Sequence, residues 1–252
     1  MHHVKMVAIM SKQRIDKLMA ERGLVPSRER AQALILAGRV LVNEQKVEKA
    51  GASFDVDVTI RLLGHDLRYV SRGGLKLERA LEHWKINVAG KTCMDVGTST
   101  GGFTDCLLQH GAAKVIAVDT GYGQIDMKLR NDPRVTLLEK TNARYLTRDQ
   151  IGETVQLVAM DVSFISATLV LPAVVAAVEP QEVIVLVKPQ FEAGREQVGK
   201  GGIVRNESAQ KAAVEKVAAC LRDLGFEVEE AIDSPILGTD GNREFLLHAS
   251  RL

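Results

Sequence analysis

The sequence predicts an α/β fold with a mostly parallel, seven-stranded sheet whose last strand runs antiparallel, preceded by a small α+β domain. Three observations lead there. Strand-like apolar runs alternate with helical stretches beyond residue 72, a glycine-rich turn follows the first such run, and the charge changes sign between the two parts.

With 252 residues, 46% of them hydrophobic and 26% charged, the chain can bury a full core and carry a second small domain. Its most apolar run, Ala167 to Val178, is interrupted by Pro172 and is far shorter than the about twenty residues a helix needs to span a bilayer. A membrane-spanning reading is therefore excluded, and a cytoplasmic protein is expected. Met1 to Ile9 lack the apolar core of a secretory signal and read as a lead-in outside the fold. Cys93, Cys106 and Cys220 form no CxxC pair and suit a reducing compartment as small buried side chains. His65, His83, His110 and His248 are scattered, so no metal site is expected.

The net charge of +1 hides an asymmetry. Residues 1–76 carry 14 Lys and Arg against 8 Asp and Glu, and the remainder carries 19 against 24. A basic module joined to a mildly acidic one points the front end toward a polyanion.

Within the front module, Ile15, Leu18 and Met19 recur at helical spacing until Gly23. A second helix starts at the Ser27 cap, buries Ala31, Leu34 and Ile35, and ends at Gly38. Short strands are expected at Val40-Leu41-Val42 and from Val56 to Leu62, with turns at Asn43 and Gly51. Arg14-Ile15-Asp16-Lys17-Leu18, Ser27-Arg28-Glu29-Arg30-Ala31 and Gly38-Arg39-Val40-Leu41-Val42-Asn43 together resemble the S-four RNA-binding domain. That resemblance implies RNA phosphate contacts by Arg14, Lys17, Arg28, Arg30, Arg39 and Lys46, which position the protein without reading sequence. Arg72, where the second domain opens, joins this set. The expected division is 11–63 for the RNA-binding domain, 64–71 for a linker and 72–252 for the α/β domain.

In the α/β part, strands are expected at Thr92 to Val96, Lys114 to Asp119, Val135 to Leu138, Val155 to Met160 and Glu182 to Val187, with a long helix from Ser208 to Leu224. Two final strands, Phe226 to Ile232 and Glu244 to Ala249, are linked too briefly for a parallel crossover and read as an antiparallel pair. Such an ending is typical of methyltransferases that use S-adenosylmethionine (SAM).

In a Rossmann-like domain the first strand–helix turn lets backbone approach a cofactor closely. Here it reads Asp95-Val96-Gly97-Thr98-Ser99-Thr100-Gly101-Gly102-Phe103. Ser99 stands where the dinucleotide pattern has its second glycine, and Asp95 would oppose a pyrophosphate yet suit the positive methionine end of SAM. Asp119 ends the second strand 22 residues after Gly97, placed to accept both ribose hydroxyls of an adenosine cofactor. The expected SAM site comprises Asp95, Gly97, Ser99, Thr100, Gly101, Gly102, Phe103, Asp119, Asn142 and Asp161.

Four polar residues stand at element ends along the same sheet edge: Lys76, Asp161, Lys188 (held extended by Pro189) and Glu244. Singly, each reads as a surface charge or a cap. Jointly they resemble the K-D-K-E tetrad of ribose 2′-O-methyltransferases. A ribose hydroxyl is a weak acid, so its methylation needs a base and a site that stabilises the developing alkoxide. Lys188, between carboxylates and beside a second ammonium, suits either proton removal or orientation of the oxygen. An amino-directed enzyme would show Asn/Asp-Pro-Pro-aromatic where this chain has Asp161-Val162-Ser163-Phe164, and a pyrimidine C5 enzyme would need a cysteine there.

Taken over residues 11–250, the chain is similar to the TlyA family of rRNA 2′-O-ribose methyltransferases, often labelled hemolysin-like. The segments Tyr69–Leu77, Asp95–Asp105, Asp161–Ser166, Val187–Glu192 and Gly241–Leu246 carry this resemblance. It implies cytidine 2′-O-methylation of rRNA in the large or both ribosomal subunits, and an influence of the connector Arg68–Arg72 on cofactor binding. Only eight residues follow Glu244, a short end that leans toward the large-subunit type. The alternatives are a non-catalytic RNA-binding assembly factor that retains SAM binding, which the intact tetrad opposes, and a pore-forming hemolysin, which the hydropathy opposes.

Overall fold

The computed structural model describes residues 12–25, 27–63, 68–238 and 241–251. The lead-in Met1 to Ile9 and residues 64–67 of the expected linker lie outside them. The chain forms two compact units, 1–66 and 67–252.

In the first unit, β1 (Lys12–Arg14) pairs antiparallel with β4 (Ser53–Asp55), and α1 (Ile15–Glu21) follows at once. Gly23 turns the chain at φ +67°, and Ser27 caps α2 (Arg28–Leu36) by accepting the Arg30 amide at 3.2 Å. Next, β2 (Val40–Val42) lies between β3 (Gln45–Lys46) and β5 (Ile60–Leu62), and Asn43 and Glu44 make the β2–β3 turn with positive φ. Ile15, Met19, Leu34, Ile35 and Val40 fill the core. The strand expected from Val56 to Leu62 is only half present. The chain turns after β4, where Val58 donates its amide to the Asp55 carbonyl, and resumes pairing at Ile60.

In the second unit, α3 (Gly73–His83) precedes β6 (Thr92–Val96), α4 (Gly102–Gln109), β7 (Lys114–Val118), α5 (Met127–Arg130), β8 (Val135–Leu138) and α6 (Arg148–Ile151). There follow β9 (Leu157–Met160), α7 (Leu171–Val178), β10 (Glu182–Val187), α8 (Pro189–Glu192), α9 (Glu207–Asp223), β11 (Glu227–Val228), β12 (Ile232–Asp233) and β13 (Phe245–Ser250). The sheet order is β11-β13-β10-β9-β6-β7-β8, with β12 also on β13. Strands β8, β7, β6, β9 and β10 are parallel, and β13 runs antiparallel to β10. One face packs on α7 and α9 through Leu171, Val174, Val217 and Leu221, the other on α3 and α4 through Leu77, Leu81, Phe103 and Leu107. Apolar cover on both faces explains why the central strands read as unbroken hydrophobic runs. The strand expected from Phe226 to Ile232 is split, because only its two ends pair with β13 and Glu229 turns aside to meet His248. Likewise Val155 stays outside β9, since Gln156 binds the Thr92 backbone through both its amide and its side chain.

His248 lies buried on β13, its Nδ1 2.9 Å from Glu229, its Nε2 3.7 Å from Glu182 and its ring 5.4 Å from that of Trp84. Burial alone would lower its pKa, but the two carboxylates outweigh that and hold it above its ordinary value. Bonding to His248, backed by Lys91, draws Glu182 down to about 2 despite its burial. A histidine with a raised folded pKa stabilises fully below its unfolded value of about 6.5, and the contribution fades as pH rises through the folded value. His248→Gln should therefore lower the melting temperature more at pH 6 than at pH 9. Equal losses at the two pH values would contradict this role.

Candidate active site

The order of the sheet reverses at β6, which has β7 on one side and β9 on the other, and ligands of α/β sheets bind at the strand ends beside such a switch point. Two cavities open there, of about 250 and 490 Å³. Gly97, Ser99, Asp161 and Ser163 line both, so the cavities join into one cleft.

The turn after β6 forms one wall. Gly97 holds φ +89°, and a Cβ there would come 2.8 Å from the Asp161 carbonyl carbon and closer still to its oxygen. The loops after β6 and β9 thus meet as closely as bare backbone allows. Gly101, at φ +95°, caps α4, and Gly102 touches the start of α3, where a Cβ would stand 2.9 Å from the Gly74 amide. That approach brings Lys76, one turn into α3, to the smaller cavity.

The larger cavity is lined by Val96, Val118, Ile165 and Val170 together with Asp119, Gly121 and Asn142. Asp119 accepts the Ser99 amide at 2.7 Å on one oxygen and the Gly121 amide at 2.6 Å on the other. Each carboxylate oxygen retains a second lone pair for a ligand hydroxyl. An apolar slot ending at such a carboxylate suits the adenosine of SAM. Asn142 turns its side-chain oxygen to the Arg144 amide at 3.0 Å.

The smaller cavity holds the charged residues. Lys76 Nζ lies 2.5 Å from Glu244 Oε2, and both are buried. Lys188 Nζ lies 2.5 Å from Asp161 Oδ1 and donates to Ser163 Oγ at 2.7 Å. The four residues thus form two ion pairs around one cavity, although Lys76 and Glu244 are 168 positions apart. Thr100, Gly102, Phe103 and Arg72 also line this cavity.

Asp95 stands behind the cleft and is not among the residues lining either cavity. Its Oδ2 accepts the Thr104 amide at 2.9 Å and the Thr104 hydroxyl at 2.7 Å, while Oδ1 is buried without a partner. Burial, offset in part by those bonds and reinforced by Asp161 and Asp119, pushes its pKa up to about 7. A carboxylate with a raised folded pKa loses stability as pH rises from its ordinary range of about 4 toward 7. Asp95→Asn should consequently raise the melting temperature of the ligand-free protein at pH 8, with the gain shrinking toward pH 5. A gain that does not depend on pH would count against a strained buried charge.

The segment before α3 is fixed by α4 and by α3 itself. Asp105 accepts the Val70 amide at 2.8 Å, and Tyr69 and Arg68 both donate to Glu78. The ring of Tyr69 packs against Gly74, leaving no room for a side chain there.

In the first unit, two of the basic residues singled out by the S-four pattern, Arg14 and Arg28, are organised by a residue that the pattern contains but charge counting passes over. Asp16 is fully buried and accepts from Arg14 at 2.9 Å, from Arg28 at 3.3 Å, from Gln32 at 2.8 Å and from the Lys17 amide at 2.9 Å. Bonding to Arg14 first, then to Gln32 and Arg28, holds its carboxyl far below the usual range in spite of burial. Lys17 pairs with Glu21 at 3.5 Å, Arg39 donates to the Leu63 carbonyl at 2.8 Å, and Lys46 passes over Gly38. Arg30 stands in the first turn of α2.

The sequence alone does not mark Ser163, Ile236 and Leu237 in the smaller cavity, or the Gly73-Gly74 pair that lets α3 and α4 meet, as parts of the site. The double glycine at the head of a helix was the one visible signal among these. Among the described residues no cluster could hold a metal ion, and no helix is long and apolar enough to cross a membrane.

Residues 69–251 match the FtsJ-like methyltransferase family, and residues 13–58 match the S4 domain. The chain is 46% identical over 236 residues to the 16S/23S rRNA (cytidine-2′-O)-methyltransferase TlyA of Mycobacterium tuberculosis, covering 93% of this chain and 88% of that protein. It is 42% identical to Hemolysin A of Brachyspira hyodysenteriae over 93% of this chain and 98% of that protein. A solved structure of a hemolysin-named protein of Streptococcus thermophilus superposes with a TM-score of 0.74 at 45% identity, covering 96% of this chain and 89% of the other. The cleft, the sheet around it and these matches together place the chain in the TlyA family of FtsJ-like methyltransferases, SAM-dependent enzymes that here carry an N-terminal S4 domain.

Proposed function

We propose that this protein transfers the methyl group of SAM to the 2′-oxygen of a cytidine ribose in ribosomal RNA, working in the cytoplasm on ribosomal subunits. The observation that carries the reading is the pairing of Lys76 with Glu244 and of Lys188 with Asp161 around the smaller cavity, beside a slot that suits adenosine. The S4 domain supports an RNA substrate, and the TlyA relative is named for this reaction.

When bound, SAM supplies an electrophilic methyl group on a sulfonium. The residues of the chain do the remaining work. Asp119 and Asn142 hold the adenosine end, with Val96, Val118 and Ile165 excluding water from it. The ribose hydroxyl enters between the two ion pairs. Its proton would pass to the Asp161 carboxylate of the Lys188–Asp161 pair as the oxygen takes up the methyl group that bound SAM would supply from its sulfonium. The ammonium groups of Lys188 and Lys76 face the oxygen while it gains negative charge, and water exclusion strengthens that attraction. Ser163 keeps Lys188 aimed by accepting a hydrogen bond from it. Arg14, Lys17, Arg28, Arg30, Arg39 and Lys46 on the S4 domain, with Arg72 at the cavity, hold RNA phosphates.

Incubation with methyl-labelled SAM and ribosomal subunits, followed by digestion to nucleosides, should yield labelled 2′-O-methylcytidine. Label on a base, or none, would overturn the reading. Asp16→Ala makes a separate prediction. Deleting an acidic residue normally strengthens binding to a polyanion, but here it should weaken rRNA binding about tenfold, because Arg14 and Arg28 lose the anchor that directs them to phosphates. Affinity for an rRNA fragment at fixed salt checks this, and tighter binding would refute it.

A further inference from the structure

Asp161 and Ser163 stand on the irregular segment after β9 and Lys188 at the junction of β10 and α8, and one residue at the far end of α8 joins the two. Phe164 holds φ +64°, a strained conformation for a non-glycine residue that persists only where its surroundings over-determine it. Glu192 ends α8, four positions beyond Lys188, and its side chain is only 3% exposed. Its Oε1 accepts the Ala167 amide at 2.6 Å and its Oε2 accepts the Ser166 hydroxyl at 2.5 Å. Lys216 on α9 backs the carboxylate at 3.2 Å and donates to the Glu192 carbonyl at 3.0 Å. The two segments are therefore fastened twice, by Lys188 to Asp161 and Ser163 at one end and by Glu192 to Ser166 and Ala167 at the other. Between the fastenings the rings of Phe164 and Phe191 lie 5.4 Å apart.

We propose that Glu192 is a positioning residue for methyl transfer: by clamping Ser166 and Ala167 to α8, it fixes the loop that presents Asp161 and Ser163 to Lys188. The inference rests on the ribose-methylation reading above. Among the described residues no hydrogen bond or ion pair joins Glu192 to a member of the tetrad, so its effect travels through the loop. A misplacement of about 1 Å at a reacting group costs on the order of 10²-fold in rate.

The test uses the full-length protein, saturating SAM and ribosomal subunits. It measures the single-turnover rate per SAM-competent site, with those sites counted by SAM titration. Glu192→Ala should lower that rate about 10²-fold, with the KM for subunits changed less than about threefold. Glu192→Gln keeps an acceptor for the Ala167 amide and a partner for Ser166, and should recover to within about tenfold of the unaltered protein. A purely structural role predicts fewer competent sites with an unchanged rate at each, and that result overturns the proposal. An equal deficit in the Gln and Ala variants overturns it as well, because charge rather than clamping would then matter. Should Glu192→Ala fail to fold, Ser166→Ala removes one clamped group and should slow each site about tenfold, whereas an unchanged rate refutes the clamp. Failure of the unaltered protein to transfer methyl in the same assay sinks the reaction reading, and this inference with it. Transfer by the unaltered protein with unimpaired variants sinks the clamp alone.

Discussion

Lys188→Ala is expected to slow methyl transfer about 10³-fold, the range in which general acid–base and alkoxide-stabilising groups act together. The residue ends β10 at the sheet edge, and its ammonium bridges Asp161 and Ser163 inside the smaller cavity. Its loss removes the positive charge that the proposed mechanism sets against the ribose oxygen and leaves the Asp161 carboxylate without its cation. Lys188 does not line the larger cavity, so SAM affinity should stay within about threefold. Single-turnover transfer and calorimetric SAM titration on the same preparation separate the two effects. Unchanged turnover would remove Lys188 from the mechanism, and lost SAM binding would move it into the cofactor site.

The second large effect is expected at Gly97→Val, which should weaken SAM binding at least about 10²-fold. Valine at φ +89° carries backbone strain of about 1–3 kcal/mol, and its Cβ would press on the Asp161 carbonyl. Relief requires the loops after β6 and β9 to separate, and those loops are the walls shared by both cavities. The same titration reads the loss directly. Affinity within about threefold of the unaltered protein would show that this close approach does not shape the cofactor site.

Much of the architecture was legible in the sequence because it rests on local patterns. The central strands β6, β7 and β10 are buried on both faces, and their apolar runs marked them to within a residue. The edge was harder to read. Pairing of residues 226–233 with β13 depends on where Glu229 meets His248, a contact between segments 19 positions apart that leaves no periodic trace. The convergence of Asp161, Lys188 and Glu244 was readable because each stands at a strand end on one edge of the sheet, and Lys76 joins them from the first turn of α3. The supporting residues were not. Ser163 is a single polar residue in an irregular segment and Glu192 the last residue of a four-residue helix, and only the packing of α8 against α9 and the loop gives them partners. Asp16 shows the same limit: counted as one charge, it reduces a basic patch, whereas buried among Arg14, Arg28 and Gln32 it organises that patch.

The central claim is that the two ion pairs serve ribose methylation of rRNA. Its most direct test maps 2′-O-methyl groups across the rRNA of cells lacking this protein, with the intact gene or the Lys188→Ala variant restored. The account predicts at least one cytidine that loses its 2′-O-methyl group in the deletion, regains it with the intact gene and stays unmodified with the variant. An unaltered methylation map, or restoration of the mark by Lys188→Ala, would contradict it.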